Sequence, residues 1–522
     1  MKKFAYLMAA FLVAMTGCQK ESPAEQAGGE IAAGEKVYME LKIQAVDTRS
    51  GTDEGAKPEN GGSNSDATPD YEVGKDYENT ISSVDVVLRN DDKFIVASNV
   101  RPTAKNDGSW LATFNSGNIA EGDEYYVYIY ANCSASQNLD AKSTVSVSAM
   151  TQKSNFWMTN AYTAAKQIIG TLSTKENEPT TLGSHFVERS MARFDYMAVK
   201  EGNVYALTDE KNNGINVTLT HAAIINQSKE FYLLRRATDP SDDIVIGYPE
   251  IATNYVVDTD WDAKSAAFTS KVYSTVAENF DYHLSTPAQW PWKPLSSLSE
   301  DDNWGDADSD GGATGIEPTP DHVYTGYKIF GYAKENTLPD INSQVNGMST
   351  GVVFKGQITG NVVTTAAGAD IYVFDGKLYG VWAKVVEAAE TSEVLKYYVD
   401  KFGEDDNYFD DDTYTALAAA GFTRYTAVTE NGQPVYYTYY YYWNRHNDNE
   451  DNKAMGAMEF AVVRNNVYKL CVDYITKLGH PTPGTPDPDP VDPDDPNESG
   501  EYYFGVSVKV VPWVVRVNHI GW

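Results

Sequence analysis

The chain is poor in the residues that catalytic and disulfide-stabilised proteins depend on. Of its 522 residues, only 3 are cysteine and 7 are histidine. Cys133 and Cys471 lie in different parts of the chain, so a disulfide framework is excluded. We expect both to be buried free thiols. A single disulfide bond between them is the alternative. The scattered histidines accompany no nucleophile elbow, metal-binding pair or glycine-rich phosphate loop, so we expect no enzyme activity.

Basic charge is also scarce, because 41 Lys and Arg face 74 Asp and Glu, for a net charge of −33. This acidity suits a soluble surface protein and argues against nucleic-acid partners. Long hydrophobic runs are missing as well. The apolar stretch 4–15 is too short to span a bilayer, and with Lys2 and Lys3 before it, it is typical of a secretory signal.

Small residues before Cys18 form a pattern like a lipobox, in which signal peptidase cleaves and the cysteine is lipidated. The alternative is an ordinary signal peptide with a chance cysteine. We expect an exported protein that passes through a lipid-anchored stage.

What the chain does contain is many short stretches in which apolar and polar residues alternate. Such stretches predict half-buried strands at 37–45, 84–88, 127–131, 215–219, 352–358 and 435–443, and a hairpin turn at Asp375-Gly376. Helices are few; the best candidate is 412–421, capped by Asp412 or Thr413. Many short strands with turn signals predict an all-β chain of antiparallel β-sandwiches.

The C-terminal residues form a strand-like tail on a Pro- and Asp-rich tether, residues 481–500, which we expect to hold the strand away from its own domain. The apolar face changes phase at Pro512, so that residue is predicted to mark a bulge between two short inserted segments. The residues of this predicted donor strand are Val506, Val508, Val510, Pro512, Trp513, Val515 and Val517. A strand on a stiff arm suggests a plug for another molecule.

Strand 37–45 is followed closely by Arg49 and Ser50. Cleavage between them by a trypsin-like protease would allow the strand to leave and expose a sheet edge, which a strand from a second molecule could cover. Each subunit would then have one groove and one C-terminal strand that fits the groove of the next subunit. Head-to-tail contacts of this kind build filaments.

Two further patterns have alternative interpretations. Asp306, Asp308, Asp310 and Glu317 fit the spacing of a calcium loop, although the flanking residues are wrong for an EF-hand and an acidic surface loop is the alternative. The tyrosine-rich run 436–443 could stack on carbohydrate, but a strand with one face in the core is the expected reading.

Taken together, these pieces resemble the fimbrillins, the type V pilins, and among them the shaft subunit of minor fimbriae. The matching pieces are the lipobox at Cys18, the Arg49 site, VERSMAR at 187–193, VVRNNVY at 462–468, KLG at 477–479, the Pro–Asp tether and VVPWV at 510–514.

The resemblance implies two transthyretin-like, Ig-like β-sandwich domains and polymerisation by C-terminal donor-strand exchange. It implies an outer-membrane lipoprotein precursor, palmitate-modified and exported through the periplasm, then cut at Arg49 by an Arg-specific protease. It also implies that the partners are identical subunits, accessory, tip and anchor fimbrial proteins, and receptors on host or bacterial surfaces during adhesion. No cofactor is implied; the only one in question is calcium at the acidic loop.

The predicted organisation is a signal peptide (1–18), a propeptide with the removable strand (19–49), two β-sandwich domains (50–236 and 237–478), a linker (479–500) and the donor strand (501–522). The chain has both a cleavage site and a C-terminal donor strand, so we favour the role of a shaft subunit. The alternatives are an anchor or accessory fimbrial subunit, or a surface glycan-binding lipoprotein, which would have no use for the terminal strand.

Overall fold

We describe the fold from a computed structural model of the chain. The residues it describes are 34–45, 74–105, 107–161, 166–238, 244–246, 256–298, 327–338, 347–361, 363, 368–446, 458–484 and 504–512. They form an all-β molecule with few short helices, as the sequence predicts. Within these residues, no helix is long and apolar enough to cross a membrane.

Strands account for most of the regular structure in the first half of the chain. They are β1 (Lys36–Ala45), β2 (Val84–Arg89), β3 (Phe94–Val96), β4 (Asn99–Pro102), β5 (Ser109–Asn115), β6 (Glu124–Ala131), β7 (Lys142–Ser143), β8 (Thr151–Gln152), β9 (Asn155–Phe156), β10 (Met158–Asn160), β11 (Lys166–Ile168), β12 (Thr180–Arg189), β13 (Ala192–Ala198), β14 (Val204–Ala206), β15 (Ile215–Ile225), β16 (Gln227–Ser228), β17 (Phe231–Tyr232) and β18 (Arg236–Thr238).

The second half continues in the same style. Its strands are β19 (Ile244–Ile246), β20 (Phe280–Asp281), β21 (Lys293–Pro294), β22 (Lys328–Ala333), β23 (Gly351–Gly360), β24 (Ile371–Phe374), β25 (Lys377–Gly380), β26 (Phe422–Tyr425), β27 (Val428–Glu430), β28 (Gln433–Trp443), β29 (Asn466–Ile475) and β30 (Phe504–Pro512). The α-helices are α1 (Asp76–Asn79), α2 (Val147–Met150), α3 (Trp261–Ser270), α4 (Trp382–Ala389), α5 (Glu393–Phe402) and α6 (Asp411–Ala419).

The first large sheet has nine strands, in the order β3-β2-β6-β10-β12-β1-β5-β4 with β11 beside β6. Its strands bury one shared apolar cluster, to which β1, β2, β5 and β6 all contribute. The pattern of alternating residues therefore predicted the buried face of β1, β2 and β6 correctly, because a period of two places every second side chain on the same face.

Two further sheets face each other across a second core. One contains β14-β15-β23-β28-β27 and the other contains β22-β13-β29-β30. Aromatic rings line this core: the centroids of Phe194 and Tyr468, on neighbouring strands of one sheet, are 5.1 Å apart, and those of Tyr196 and Phe354, on the two facing sheets, are 5.7 Å apart. This is a sandwich-like arrangement of two sheets.

The sheets are mixed rather than purely antiparallel, which corrects the sequence-based expectation. β1 runs parallel to β12, and β13 runs parallel to β29. Alternation of apolar residues fixes which face of a strand is buried but not the direction of its neighbour.

A nearly continuous strand links the two cores. β12 belongs to the nine-stranded sheet, and after Ser190 and Met191 the chain continues as β13 in the second sandwich. The pairing therefore changes sheets near residue 190, and β15 also pairs within the second sandwich, with β23. The division at residues 236 and 237 stays a prediction.

The helices were the weaker part of the sequence analysis. The predicted helix is α6, but its cap is Asp410, whose side chain accepts a hydrogen bond from the Thr413 N–H, rather than Asp412 or Thr413. Helices α4 and α5 were missed; with α6 they cover one face of the small sheet β25-β24-β26, around Trp382. This unit is inserted between the neighbouring strands β23 and β28.

The tyrosine-rich strand β28 packs on both faces. Tyr436 and Tyr440 lie in the core of the second sandwich, whereas Tyr437 and Tyr439 pack with Trp290 on the opposite face. These four tyrosines are all at most 9 % exposed, which favours the core interpretation over a carbohydrate platform. At the far edge, Tyr439 and His480 exchange two backbone hydrogen bonds of 2.9 Å.

A buried ion cluster joins the start of α3 to the residues that follow β22. Lys264 donates to Asn336 Oδ1 at 2.6 Å and lies 2.7 Å from Asp260 Oδ1, and it also contacts Asp258. Burial raises the pKa of Asp258 to about 7; the neighbouring Asp260 adds to this rise, and Lys264 opposes it. Asp258 is therefore a buried carboxyl that gains its proton more readily than an exposed aspartate.

Candidate strand-exchange site

Strand β1 occupies an interior position in the nine-stranded sheet. It pairs antiparallel with β5 over Lys36–Lys42 and parallel with β12 from Met39 onward. The backbone groups of β1 are thus used along both of its edges. Loss of this strand would divide the sheet and leave a slot with an unpaired strand on each side.

The apolar face of β1 is almost completely buried. Val37 and Met39 are 0 % exposed, Leu41 is 1 % exposed and Ile43 is 4 % exposed. The intervening Glu40 faces outward and accepts from Lys105 Nζ at 2.6 Å. These four side chains define a row of apolar pockets that any strand in this position has to fill.

The wall formed by β12 has an irregularity beside this row. The register of β1 against β12 shifts between Glu40 and Leu41, where β12 contains Gly183 with a φ of 79°. A positive φ suits glycine because it has no Cβ. The bulge lies in β12, so β1 keeps an unbroken alternation.

The segment after β1 begins and ends at the same part of β12. Ala45 pairs with Val187, and the chain is next described from residue 74, just before α1. Arg189, two residues along β12 from Val187, donates through Nε to the backbone oxygen of Glu78 in α1 at 2.9 Å. The last described residue before Arg49 and the first helix after it are therefore both held by β12.

A buried group of charged and polar side chains holds helix α1 in place. We call it the junction cluster: Glu78, Arg193, Asp195, Tyr332 and Lys469. Glu78 accepts from Arg193 Nη1 at 2.8 Å and from the Tyr332 hydroxyl at 2.6 Å. Lys469 of β29 donates to Asp195 at 3.0 Å. The cluster joins α1 to β13, β22 and β29.

The buried charges of the junction cluster are paired with one another. Asp195 is fully buried and accepts two hydrogen bonds of 2.9 Å from Arg193. Although burial opposes ionisation, Arg193 and Lys469 hold the pKa of Asp195 below its ordinary value. Burial raises the pKa of Tyr332, and the carboxylate of Glu78 raises it further.

The C-terminal strand β30 lies on its own chain, at the edge of the second sandwich. It pairs antiparallel with β29, with Val506 opposite Val472, Val508 opposite Leu470 and Pro512 opposite Asn466. The expectation that the tether holds this strand away from its own domain is therefore wrong for the single chain. An unpaired β29 edge is available beside the strand, and edge pairing satisfies its backbone groups.

The predicted site residues are distributed unevenly over the described structure. Val506, Val508, Val510 and Pro512 lie in β30, which ends at Pro512. The predicted bulge at Pro512 stays a prediction. The residues that lie outside the described part of the chain are Cys18, Arg49, Ser50, Trp513, Val515, Val517, Asp306, Asp308, Asp310 and Glu317. In the described part, no group of three or more acidic, histidine or cysteine side chains could hold a metal, and neither Cys133 nor Cys471 forms a disulfide there.

The sequence analysis missed the role of the two charged motifs. In the first, Glu188 accepts from Arg235 Nε at 2.9 Å, and Arg189 and Arg193 bind α1. In the second, Arg464 donates to Glu335 at 2.6 Å. Charges inside otherwise apolar strand patterns were the available signal, because such charges are buried only when they are paired.

Strands β28, β29 and β30 together form a region that recurs in other proteins. Residues 435–519 match the model of the C-terminal region of fimbrillin, the type IV major fimbrial subunit protein. Residues 435–519 are thus similar to the C-terminal region of the fimbrillins.

Several solved structures align with most of this chain at low sequence identity. A fimbrilin from Porphyromonas gingivalis W83 is 13 % identical, with 92 % of this chain and 98 % of that chain covered and a TM-score of 0.33. The C-terminally truncated tip fimbrial protein Mfa3 from Porphyromonas gingivalis is 8 % identical, with 92 % and 100 % covered and a TM-score of 0.34.

A proposed cell adhesion protein from Parabacteroides distasonis is 13 % identical, with 93 % and 99 % covered and a TM-score of 0.35. TM-scores this low do not by themselves establish a common architecture. No curated protein sequence matches this chain.

Proposed function

We propose that this chain is a fimbrillin, a subunit of a cell-surface fimbrium, and that it serves as a shaft subunit that polymerises head to tail by donor-strand exchange. In this proposal an Arg-specific protease cuts between Arg49 and Ser50, β1 leaves, and the C-terminal strand of a second copy enters the slot. The observation that carries the proposal is the interior position of β1, paired on both edges and buried along one face.

The position of Arg49 between two described anchors supports the cleavage step. On the N-terminal side, β1 pairs with β12, and on the C-terminal side, Arg189 of β12 binds α1. A cut between them separates β1 from the body without disturbing either anchor. Arg49 follows the last residue of β1 closely, so the cut releases the entire strand.

The pattern of the C-terminal strand supports the exchange step. Val506, Val508 and Val510 alternate with polar residues in the same way as the buried residues of β1. If the entering strand fills the four pockets left by β1, burial of one apolar side chain in each, at about 1.5–3 kcal/mol, gives roughly 6–12 kcal/mol of gross stabilisation. Only part of this remains after the ordering of the strand, but a filament contact is formed many times along its length.

The remaining parts of the proposal concern the route to the surface and the partners there. The precursor is an outer-membrane lipoprotein, lipidated at Cys18 and exported through the periplasm. The mature chain consists of two β-sandwich domains, the Pro–Asp linker and the donor strand. It assembles with identical subunits and with accessory, tip and anchor proteins, and the filament supports adhesion to host or bacterial surfaces.

The test is a pair of arginine substitutions in the precursor. Arg49→Ala is expected to leave the chain uncut at this position and to abolish filaments in electron micrographs of the cell surface. Arg101→Ala is the matched control: Arg101 is a surface residue paired with Glu176, and its loss should leave assembly unchanged. Filaments of normal length from Arg49→Ala would contradict the proposal.

Sequencing the N-terminus of purified filaments separates the shaft role from the anchor role. A shaft subunit should begin at Ser50. An N-terminus at Cys18 would instead identify an anchor that keeps β1 and its lipid.

A further inference from the structure

The free subunit uses its own terminal strand to cover a sheet edge. β29 has β13 on one side and β30 on the other. The pairing with β30 runs along the whole of β29, from Asn466 to Ile475. Val467, Leu470 and Val472 of β29 are 0 % exposed, so β29 lies deep in the sandwich and its outer edge is closed by β30.

Pairing with β29 and filling the slot left by β1 exclude each other. In the slot, a strand has to pair along both edges, because β5 lies on one side and β12 on the other. In the free subunit, one edge of β30 is already used by β29. Donation therefore requires β30 to leave β29 first.

The connection between the two strands is much longer than this hairpin requires. β29 ends at Ile475 and β30 begins at Phe504. Hairpin loops need only about 2–5 residues, so the Pro–Asp tether is superfluous for pairing within one chain. A Pro-rich segment extends about 3.1 Å per residue, which gives the released strand the reach to a second molecule.

The same tether gives the pairing on β29 an advantage until the slot is open. A strand joined by a flexible or semi-stiff linker returns to its own partner at an effective concentration of about millimolar. A precursor has no open slot because β1 fills it. Before cleavage, therefore, nothing competes with β29 for the terminal strand.

We propose that β30 is latched along β29 in the free subunit and that its release from β29 is a required step of assembly, distinct from the removal of β1. The inference rests on the proposed function, since a latch matters only if the strand is donated. β29 is thus a second strand-binding edge of the subunit. Its occupant is residues 504–512 of the same chain.

The chain itself provides a way to lock the latch. Cys471 of β29 lies directly opposite Ser507 of β30. Opposed residues of an antiparallel pair have Cα atoms about 4.5–5.5 Å apart. This separation lies within the roughly 4.4–6.8 Å that disulfides span. The single substitution Ser507→Cys should therefore permit a disulfide within one chain.

The experiment follows assembly of the purified full-length precursor after cleavage by an Arg-specific protease. Oxidised Ser507→Cys is expected to carry a 471–507 disulfide within one chain, identified by peptide mapping. It should be cut as the wild type is, and yield less than about a tenth of the wild-type filaments, because the covalent link prevents strand release. Reduction should restore assembly. Ser507→Ala is the matched control and should assemble under both conditions.

Three results would overturn the latch. They are normal assembly of the oxidised, linked variant, absence of the 471–507 disulfide, and formation of that disulfide between two copies instead of within one. A different result would count against the proposed function: wild-type protein that fails to form filaments after residues 1–49 have been removed. The two failures are therefore distinguishable in the same set of samples.

Discussion

Leu41→Ala should weaken the precursor but not the filament. Leu41 is 1 % exposed and lies in the middle of the buried row of β1. Truncation of a fully buried leucine costs about 2–5 kcal/mol, because the apolar transfer energy is lost and a cavity remains. If β1 leaves during assembly, the mature subunit no longer contains this residue, and the cost disappears with it.

The assay compares unfolding of the purified precursor with unfolding of filaments assembled from it. The precursor should lose stability in the part containing β5 and β12, which hydrogen exchange of their amides localises. Leu219→Ala is the matched control: Leu219 is 2 % exposed in β15, and its truncation should weaken precursor and filament alike. Leu41→Ala filaments as destabilised as their precursor would refute the reasoning, because β1 would then remain in the mature subunit.

Three other perturbations have defined outcomes. Arg193→Met in the junction cluster should lower the free energy of unfolding by about 3–5 kcal/mol in denaturant titrations, since it leaves buried carboxylates short of a partner; Arg101→Met, at an exposed pair, should cost no more than about 1 kcal/mol. Burial raises the pKa of Asp258 to about 7, so the folded state binds more protons than the unfolded state. The contribution of this group to stability therefore falls as pH rises from about 4 to 7. Asp258→Asn should remove this fall, and identical pH profiles of the unfolding midpoint in the two proteins would contradict the assignment. A Cβ at Gly479 would meet the backbone of Tyr439, so Gly479→Ala should cost about 1–3 kcal/mol in the same titrations, whereas Gly170→Ala, with open space around it, should change little.

The strands could be predicted from the sequence because their signal is local. The alternation in 37–45 identified β1 and the four side chains that it buries. The Asp375-Gly376 pair identified the β24–β25 hairpin, where both residues have positive φ. In both cases the pattern and the structure depend on residues within one short segment.

Features that depend on distant partners could not be predicted in this way. Arg193 and Asp195 break the apolar pattern of β13, and their burial is made favourable by partners far away in the chain, such as Glu78 and Lys469. The helices α4 and α5 form an outer layer over β24. Their stability comes from packing in the apolar cluster that contains Trp382 rather than from capping signals alone. The pairing of β30 with β29 was missed because the tether was taken to keep the strand apart.

The interior position of β1 also determines how its occupant responds to mechanical force. An edge strand pulled sideways separates one bond at a time, as a zipper does. A strand in the position of β1 is held by β5 on one edge and β12 on the other. When such a strand is pulled along its own axis, both rows of hydrogen bonds have to break almost simultaneously. Any chain seated there gives a joint that resists tension in shear.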